Sequence, residues 1–357
     1  METLQRAQIR DFHDPTFVAM DPRKLLEILS DGRWHSPNSL REALGCDARL
    51  LDDWLAQLQS YDLEIRRDSR QGISLPLGLS LLESRQVLQG LSSAFRESIA
   101  HLELPLVVDS TNTRAMEWLR SGNAGRALFL AEKQRSGRGR RGRVWISPMA
   151  RNLTMSLVWP VAGITQAQEG FSLVVALSLV ECLRAMGLQG SEMLRVKWPN
   201  DVWLGDAKLA GILLELHGGS AGPHHVVIGI GVNVHMPEKA LADIEQPVTD
   251  LYSQGNRQLD RNQLVTAILN SLERNLETLQ TEGFDGFRQQ WQRLDVFHDR
   301  QVEVLGDGQQ FVGTVRGVNA SGALILETDN GERHVSGGEI APTVRSLRQQ
   351  SKLMGQD

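Results

Sequence analysis

Apolar residues recur at helical spacing three times between residues 22 and 80. Lys24 to Leu29 predicts a first helix, Pro37 to Leu44 a second and Asp47 to Leu58 a third, with Gly45 breaking the chain between the last two. Leu40, Leu44, Leu51, Trp54, Leu55 and Leu58 would form the core of this unit. From Ile65 to Leu75 the pattern becomes two short strands around a polar turn. Helix, helix–turn–helix and hairpin in that order predict a winged helix–turn–helix over residues 1–80. Its helix–turn–helix runs from about Pro37 to Ala56, and its wing carries Arg66, Arg67 and Arg70. Leu79 to Glu103 reads as a linker of helical character, assigned to residues 81–104.

The next stretch mixes both periods. Ala127 to Ala131 predicts a buried strand, and Leu153 to Trp159 alternates as a strand. Ser110 or Thr111 is placed to cap a helix over Ala115 to Leu119. Gln166 to Met186 predicts a long amphipathic helix. Val202 to Leu204 and the run from Lys208 to Leu216 flank Gly205-Asp206 as a hairpin. Val226 to Val234 is a strand holding Gly229 and Gly231, and glycine inside a strand often marks the close approach of a ligand or another backbone. Asp260 heads a helix with Leu264, Ile268, Leu272, Leu276 and Leu279 on one face. Hairpins mixed with helices predict an α+β domain with a largely antiparallel sheet over residues 105–295. Beyond Asp299 four short strands, Val302 to Leu305, Phe311 to Val318, Ala323 to Glu327 and Glu332 to Val335, predict a small β-barrel over residues 296–350. Asp307-Gly308, Ser321-Gly322 and Asn330-Gly331 punctuate them, and Ser346 to Asp357 reads as a polar tail.

Composition narrows the class. The chain has 357 residues, enough for two or three domains, with 38 Lys and Arg against 43 Asp and Glu, a net charge of −5. That balance carries no global nucleic-acid signature. The two cysteines, Cys46 and Cys182, suit free thiols in a reducing cytoplasm. The polar start from Met1 to Asp14 does not read as a secretory signal, and the apolar run Phe171 to Val180 is too short to span a bilayer. A cytoplasmic protein without membrane contact is expected. His224-His225 lacks the spacing of a metal site, and no resident metal is expected. Residues 1–80 hold ten Lys and Arg against thirteen Asp and Glu, and the third helix sets Asp47, Asp52 and Asp53 against Arg49 alone. Phosphate attraction supplies much of DNA affinity, so this helix departs from the usual basic reader.

The densest chemistry lies in Gln134 to Trp145, where five of twelve residues are Arg and three are Gly. Glycine lets backbone N–H groups approach a ligand. Arginine supplies planar, permanently charged donors for carboxylates and phosphates. No Gly-Lys-[Ser/Thr] closes the loop, so it is not a Walker A loop.

Five motifs in order resemble the biotin protein ligases: Asp109-Ser110-Thr111-Asn112, Gly137 to Gly142, Lys197 to Asp201, Lys208 to Gly211, and Gly229-Ile230-Gly231-Val232-Asn233. The whole chain resembles the bifunctional members that also repress the biotin operon. The resemblance implies a central α/β ligase domain and an SH3-like C-terminal barrel. It implies that ATP and biotin form biotinyl-5′-AMP, and that a lysine of the biotin carboxyl carrier protein of acetyl-CoA carboxylase then takes the biotin. Magnesium would accompany the nucleotide. A homodimer of the biotinyl-AMP form would bind the biotin operator, with the carrier competing for the same surface.

Lys208, Arg138 and Arg140 are the expected catalytic residues, neutralising a carboxylate as it meets a polyphosphate. Ser110, Thr111, Asn112, Gln134 and Gly139 join them around biotin, with Gly211, Gly229 and Gly231 leaving it space. Trp145 would stack on adenine, Asn200 and Asn233 would offer polar contacts, and Arg316 would reach the nucleotide from the barrel. Three rivals remain: a ligase whose winged helix no longer reads an operator, a ligand-sensing repressor without catalysis, and a lipoate or other acyl-carrier ligase.

Overall fold

The computed structural model describes residues 8–9, 22–76, 78–161, 168–218, 224–242, 244–306 and 309–342. The Asp307-Gly308 turn and the tail from Ser346 lie outside them. A two-residue strand, β1 (Gln8–Ile9), pairs in parallel with a strand of the central sheet.

Helices α1 (Arg23–Leu29), α2 (Pro37–Leu44) and α3 (Ala48–Ser60) follow. Ser36 caps α2 by accepting from the Ser39 N–H, and Asp47 caps α3 by accepting from the Leu50 N–H. Asp47 thus owes its place on this acidic helix to capping, worth about 1 kcal/mol. Gly45, at φ +63°, provides the left-handed turn between α2 and α3. Strands β2 (Arg66–Asp68) and β3 (Gly72–Ser74) form the hairpin. Leu40, Leu51, Trp54, Leu55 and Leu58 are buried as expected, and Leu44 is half-buried against them. Leu106, Met149 and Ala150 of the central unit also enter this core.

Residues 81–104 do not form a linker helix. They fold as α4 (Ser84–Gln89), α5 (Ser93–Ser98) and β4 (Ile99–Glu103). Val87, Leu91 and Phe95 are buried in the central core, which draws this segment into the domain. Next come β5 (Val107–Val108), α6 (Thr111–Arg120), β6 (Arg126–Ala131), β7 (Lys133–Gln134), β8 (Leu153–Val161) and α7 (Gln168–Ala185). Strands β9 (Leu194–Lys197), β10 (Asp201–Leu204), β11 (Ala207–His217) and β12 (His224–Val232) precede α8 (Glu238–Leu241), α9 (Arg261–Glu282) and α10 (Arg288–Leu294). The eight-stranded sheet has the order β1-β4-β6-β8-β12-β11-β10-β9. Its pairings are antiparallel except β1 with β4 and β4 with β6.

Two local patterns behave differently from their sequence. Helix α7, expected to be amphipathic, is buried on every face from Ser172 to Val180 because α9 packs along it opposite the sheet. On β8 the alternating polar residues Thr154 and Ser156 are also buried. Thr154 Oγ1 donates to the Ala131 carbonyl, and Ser156 faces α6 beneath the site.

The C-terminal unit is an antiparallel sheet of β13 (Gln301–Gly306), β14 (Gln309–Val318), β15 (Leu324–Thr328), β16 (Gly331–Val335) and β17 (Glu339–Pro342). Its order is β16-β15-β14-β13-β17. Val302, Val304, Val315, Leu324, Leu326 and Ile340 share one continuous core with the central sheet. Trp198 Nε1 donates across that seam to the Gly322 carbonyl at 3.1 Å. No helix among the described residues is long and apolar enough to cross a membrane.

Candidate active site

Strands β11 and β12 form the floor of a cavity of about 420 Å³. The N-terminus of α6, the Arg/Gly loop and the β9–β10 turn wall it, and β17 of the C-terminal sheet closes one side. Thirteen of the expected residues line it. Ser110, Thr111, Asn112 and Gln134 lie at one end. Arg138, Gly139, Arg140 and Trp145 come from the loop, Asn200 from the β9–β10 turn, Lys208 and Gly211 from β11, and Gly229 and Gly231 from β12.

The polar end is a connected network. Thr111 donates both its N–H and its hydroxyl to Gln134 Oε1, at 2.8 and 3.1 Å. Gln134 therefore satisfies the first turn of α6, while Ser110 stands at the cap position without a side-chain cap. The Ser156 hydroxyl lies 2.7 Å from Thr111 Oγ1 and 2.6 Å from Asn112 Oδ1. The Asn112 amide donates to Glu215 Oε2 at 2.7 Å.

The glycines make room for the chain's own side chains. A Cβ on Gly229 would fall 2.2 Å from Asn112 Oδ1, and one on Gly231 would fall 2.3 Å from the Trp145 indole. A Cβ on Gly211 would press on both Lys208 and Trp145 at 3.2 Å. All three glycines still line the cavity, so a side chain at any of them would displace Asn112, Trp145 or Lys208 from its wall. The Trp145 indole sits over Gly211 and Gly231 of the floor, with Lys208 Nζ 5.8 Å from its ring centre.

The lining gathers five cations, Arg138, Arg140, Arg143, Lys197 and Lys208, against three carboxylates. Lys208 Nζ is 2.8 Å from Asp201 Oδ1, with both side chains nearly buried. The contact lacks hydrogen-bond alignment, and Asp201 Oδ1 has no other protein donor. Burial pushes the Lys197 ammonium below its ordinary range. Asp201 pulls it back up, and neighbouring Lys208 lowers it again. Arg140 donates to Asn200 Oδ1 and the Gly338 carbonyl, and Arg143 pairs with Glu339 at 2.6 Å. A cavity with this charge suits a small carboxylate beside phosphates.

Two expected residues are not brought to the cavity. Asn233 is buried beside it, donating to the Lys208 and Thr249 carbonyls, so it holds β11 in place. Arg316 is exposed on β14 and forks onto Asp299 and Glu327. Lys197, Asp201, Arg143 and Glu339 also line the cavity, although the sequence alone assigns none of them a role. The first two lie inside the quoted Lys197 to Asp201 motif. Glu339 follows Gly337-Gly338, a pair whose positive φ angles (+74° and +158°) turn the chain towards the site. Among the described residues no group of three or more His, Cys, Asp or Glu could hold a metal ion.

The sequence profile of the biotin/lipoate A/B protein ligase family matches residues 104–233, and that of the biotin protein ligase C terminal domain matches residues 297–341. The bifunctional ligase/repressor BirA of Escherichia coli (strain K12) is 35% identical over 320 residues, 90% of this chain and 96% of that protein. The chain belongs to the biotin protein ligases. The biotin--[acetyl-CoA-carboxylase] ligase of Paracoccus denitrificans is 33% identical over 65% of this chain and 96% of its own. A biotin protein ligase from Aquifex aeolicus, solved in complex with biotin and ATP, aligns with a TM-score of 0.58 at 26% identity. It covers 68% of this chain and 97% of its own. Both matched segments of this biotin protein ligase reach the cavity, the first through the loop and β11, the second through Glu339.

Proposed function

We propose that this biotin protein ligase joins biotin to ATP in the cavity and passes biotin to a carrier lysine. A biotin carboxylate oxygen attacks the α-phosphorus and pyrophosphate leaves. A lysine amine of the biotin carboxyl carrier protein of acetyl-CoA carboxylase then attacks the acyl carbon, and AMP leaves. The observation that carries this reading is the convergence of Gln134, Thr111, Arg138, Arg140 and Lys208 on one cavity. The network at Thr111 and Gln134 offers the donors and acceptors that a ureido ring needs. Lys208 and Arg140 meet the carboxylate and the α-phosphate, where negative charge builds up. Trp145 supplies an aromatic face for adenine, with Asn200 beside it. Magnesium would come with ATP and shield its phosphates, and Asp201, which lines the cavity, would be the carboxylate placed to join its shell.

The adenylate-bound form dimerises and represses the biotin operon. The N-terminal helices and hairpin act as a winged helix–turn–helix, and the C-terminal strands as an SH3-like barrel. Strand β11 supports the dimer: β10 pairs only its residues 207–211, so the rest has strand β12 on one edge alone among the described strands. A second copy can add there by edge pairing. One observation favours the alternative of a ligase that does not read an operator. Arg67 is held by Asp52 of α3 at 2.8 Å and Arg66 by Glu64, so the wing's charge is partly neutralised by its own domain.

The test has two parts. Purified protein with biotin and ATP should label the carrier, and Arg140→Gly should label bystander lysines as well; a variant that labels the carrier alone contradicts the loop's retention role. Biotin and ATP together should promote binding to the promoter of the biotin-synthesis genes. No binding by active ligase would favour the alternative.

A further inference from the structure

Glu215 stands outside the cavity and no step of the proposed reaction uses it. It lies on β11, the strand that also carries Lys208. One of its oxygens, Oε2, accepts from two donors: the Asn112 amide at 2.7 Å and the Arg138 guanidinium at 2.8 Å. Asn112 is 3% exposed, with its Oδ1 pressed against Gly229 and bonded by Ser156. Its amide nitrogen therefore faces Glu215, with the Leu213 carbonyl at 3.3 Å as its other acceptor. Through these bonds a line runs from Gln134 by way of Thr111, Ser156, Asn112 and Glu215 to Arg138.

Arg138 begins the tip of the Arg/Gly loop. The tip is a small ladder, closed by Trp145 N–H on Gly137 O and Gly139 N–H on Arg143 O. On one side it is tied to the C-terminal sheet, by Arg141 to the Leu305 carbonyl and by Arg143 to Glu339. On the other it is tied to the central sheet by Arg138 to Glu215. A carboxylate with two charge-matched or polar donors at fixed geometry restrains both better than water does.

We propose that Glu215 is a positioning residue, fixing the loop against the polar end of the cavity and so keeping the activated acid enclosed. The proposal rests on the ligase reading above. It places the effect on the biotin half of the site, because Asn112 and Arg138 flank Thr111 and Gln134, whereas the nucleotide side is braced by Glu339 and Asn200.

Full-length Glu215→Ala and Glu215→Gln are compared with the unaltered chain for pyrophosphate release, varying biotin and ATP separately. A second readout is the labelling of serum albumin relative to the carrier. Glu215→Ala should raise KM for biotin by about tenfold, the effect of one lost hydrogen bond to a charged group, and leave KM for ATP unchanged. Albumin labelling should rise relative to the carrier. Glu215→Gln keeps an acceptor oxygen and should restore both values to near the unaltered chain. Unchanged biotin KM and labelling in Glu215→Ala would overturn the proposal. So would equal increases in both KM values with a lowered Tm, which mark a merely structural role, or a Gln variant as impaired as Ala. Absence of biotin-dependent release from the unaltered chain would instead remove the ligase reading, and the proposal with it.

Discussion

The N-terminal helices and the C-terminal sheet flank the same central sheet but are joined to it in different ways. The C-terminal strands share one apolar core with it, are tied by Trp198 to Gly322, and contribute Glu339 to the cavity wall. The N-terminal unit has its own core, entered from the central unit, among the described residues, by buried Leu106, Met149 and Ala150 with half-buried Val107 packed against them. Arg23 to the Leu104 carbonyl and Lys239 to Asp62 add polar ties at its rim. A shared core makes two units unfold and work together, whereas a small apolar contact leaves a module with its own stability. The cavity therefore belongs to the central and C-terminal units, and the N-terminal unit is attached to them as a module with its own core.

The largest effect should come where both catalytic units face the same cavity. Lys208→Ala should lower biotin-dependent pyrophosphate release by about a thousandfold, the loss expected for a charge aimed at the reacting centre. Its Tm should stay near that of the unaltered chain, since Lys208 makes one unaligned ion pair. A near-normal release rate would remove Lys208 from the reaction. Paired core truncations come next. Leu326→Ala and Leu55→Ala each delete a fully buried side chain and should cost about 2–5 kcal/mol. On warming, the Leu326 variant should lose pyrophosphate release early, while the Leu55 variant should keep it as its helical unit melts. Loss of activity in both would mean that the N-terminal unit is not independent.

The seam also carries a pH dependence. Asp295 is buried where Val296 N–H donates to the Val196 carbonyl on β9, and burial pushes its carboxyl up to about 7. Between the ordinary carboxylate pKa and that value the folded chain holds a proton that the unfolded chain has released. Stability from this group is complete at acid pH and falls by about 1.4 kcal/mol per pH unit through the window, levelling off above about pH 7. Asp295→Asn should raise Tm at pH 8 and leave it unchanged near pH 4, as calorimetry at the two values would show. The smallest effect belongs to the N-terminal unit. Asp52→Asn frees Arg67 and should tighten binding to non-specific duplex DNA by about threefold at low salt, a gain that salt screens away. No gain would mean that the wing does not face DNA.

Much of this arrangement was readable in advance where a local pattern dictates a local structure. The helices α1 to α3, the hairpin β10–β11 and the Arg/Gly loop follow from apolar spacing, Gly45, Gly205 and the loop's own composition. What depends on distant partners was not. The strand β4 was hidden in a helical-looking segment because its pairing with β6 is a long-range choice. Gly229 and Gly231 signalled close packing correctly, but the partners are Asn112 and Trp145, which no spacing along the chain announces. Arg316 and Asn233 have site-like chemistry, and only the fold shows one exposed on the middle strand of the C-terminal sheet and the other buried as a brace.

The most direct test of the central claim is pyrophosphate release by the purified chain with ATP and either biotin or lipoate. Thr111, Gln134 and Asn112 offer a fixed polar network suited to a ureido ring, which lipoate lacks. Release that depends on biotin and is negligible with lipoate is the predicted result. Equal release with lipoate, or none with biotin, would contradict it.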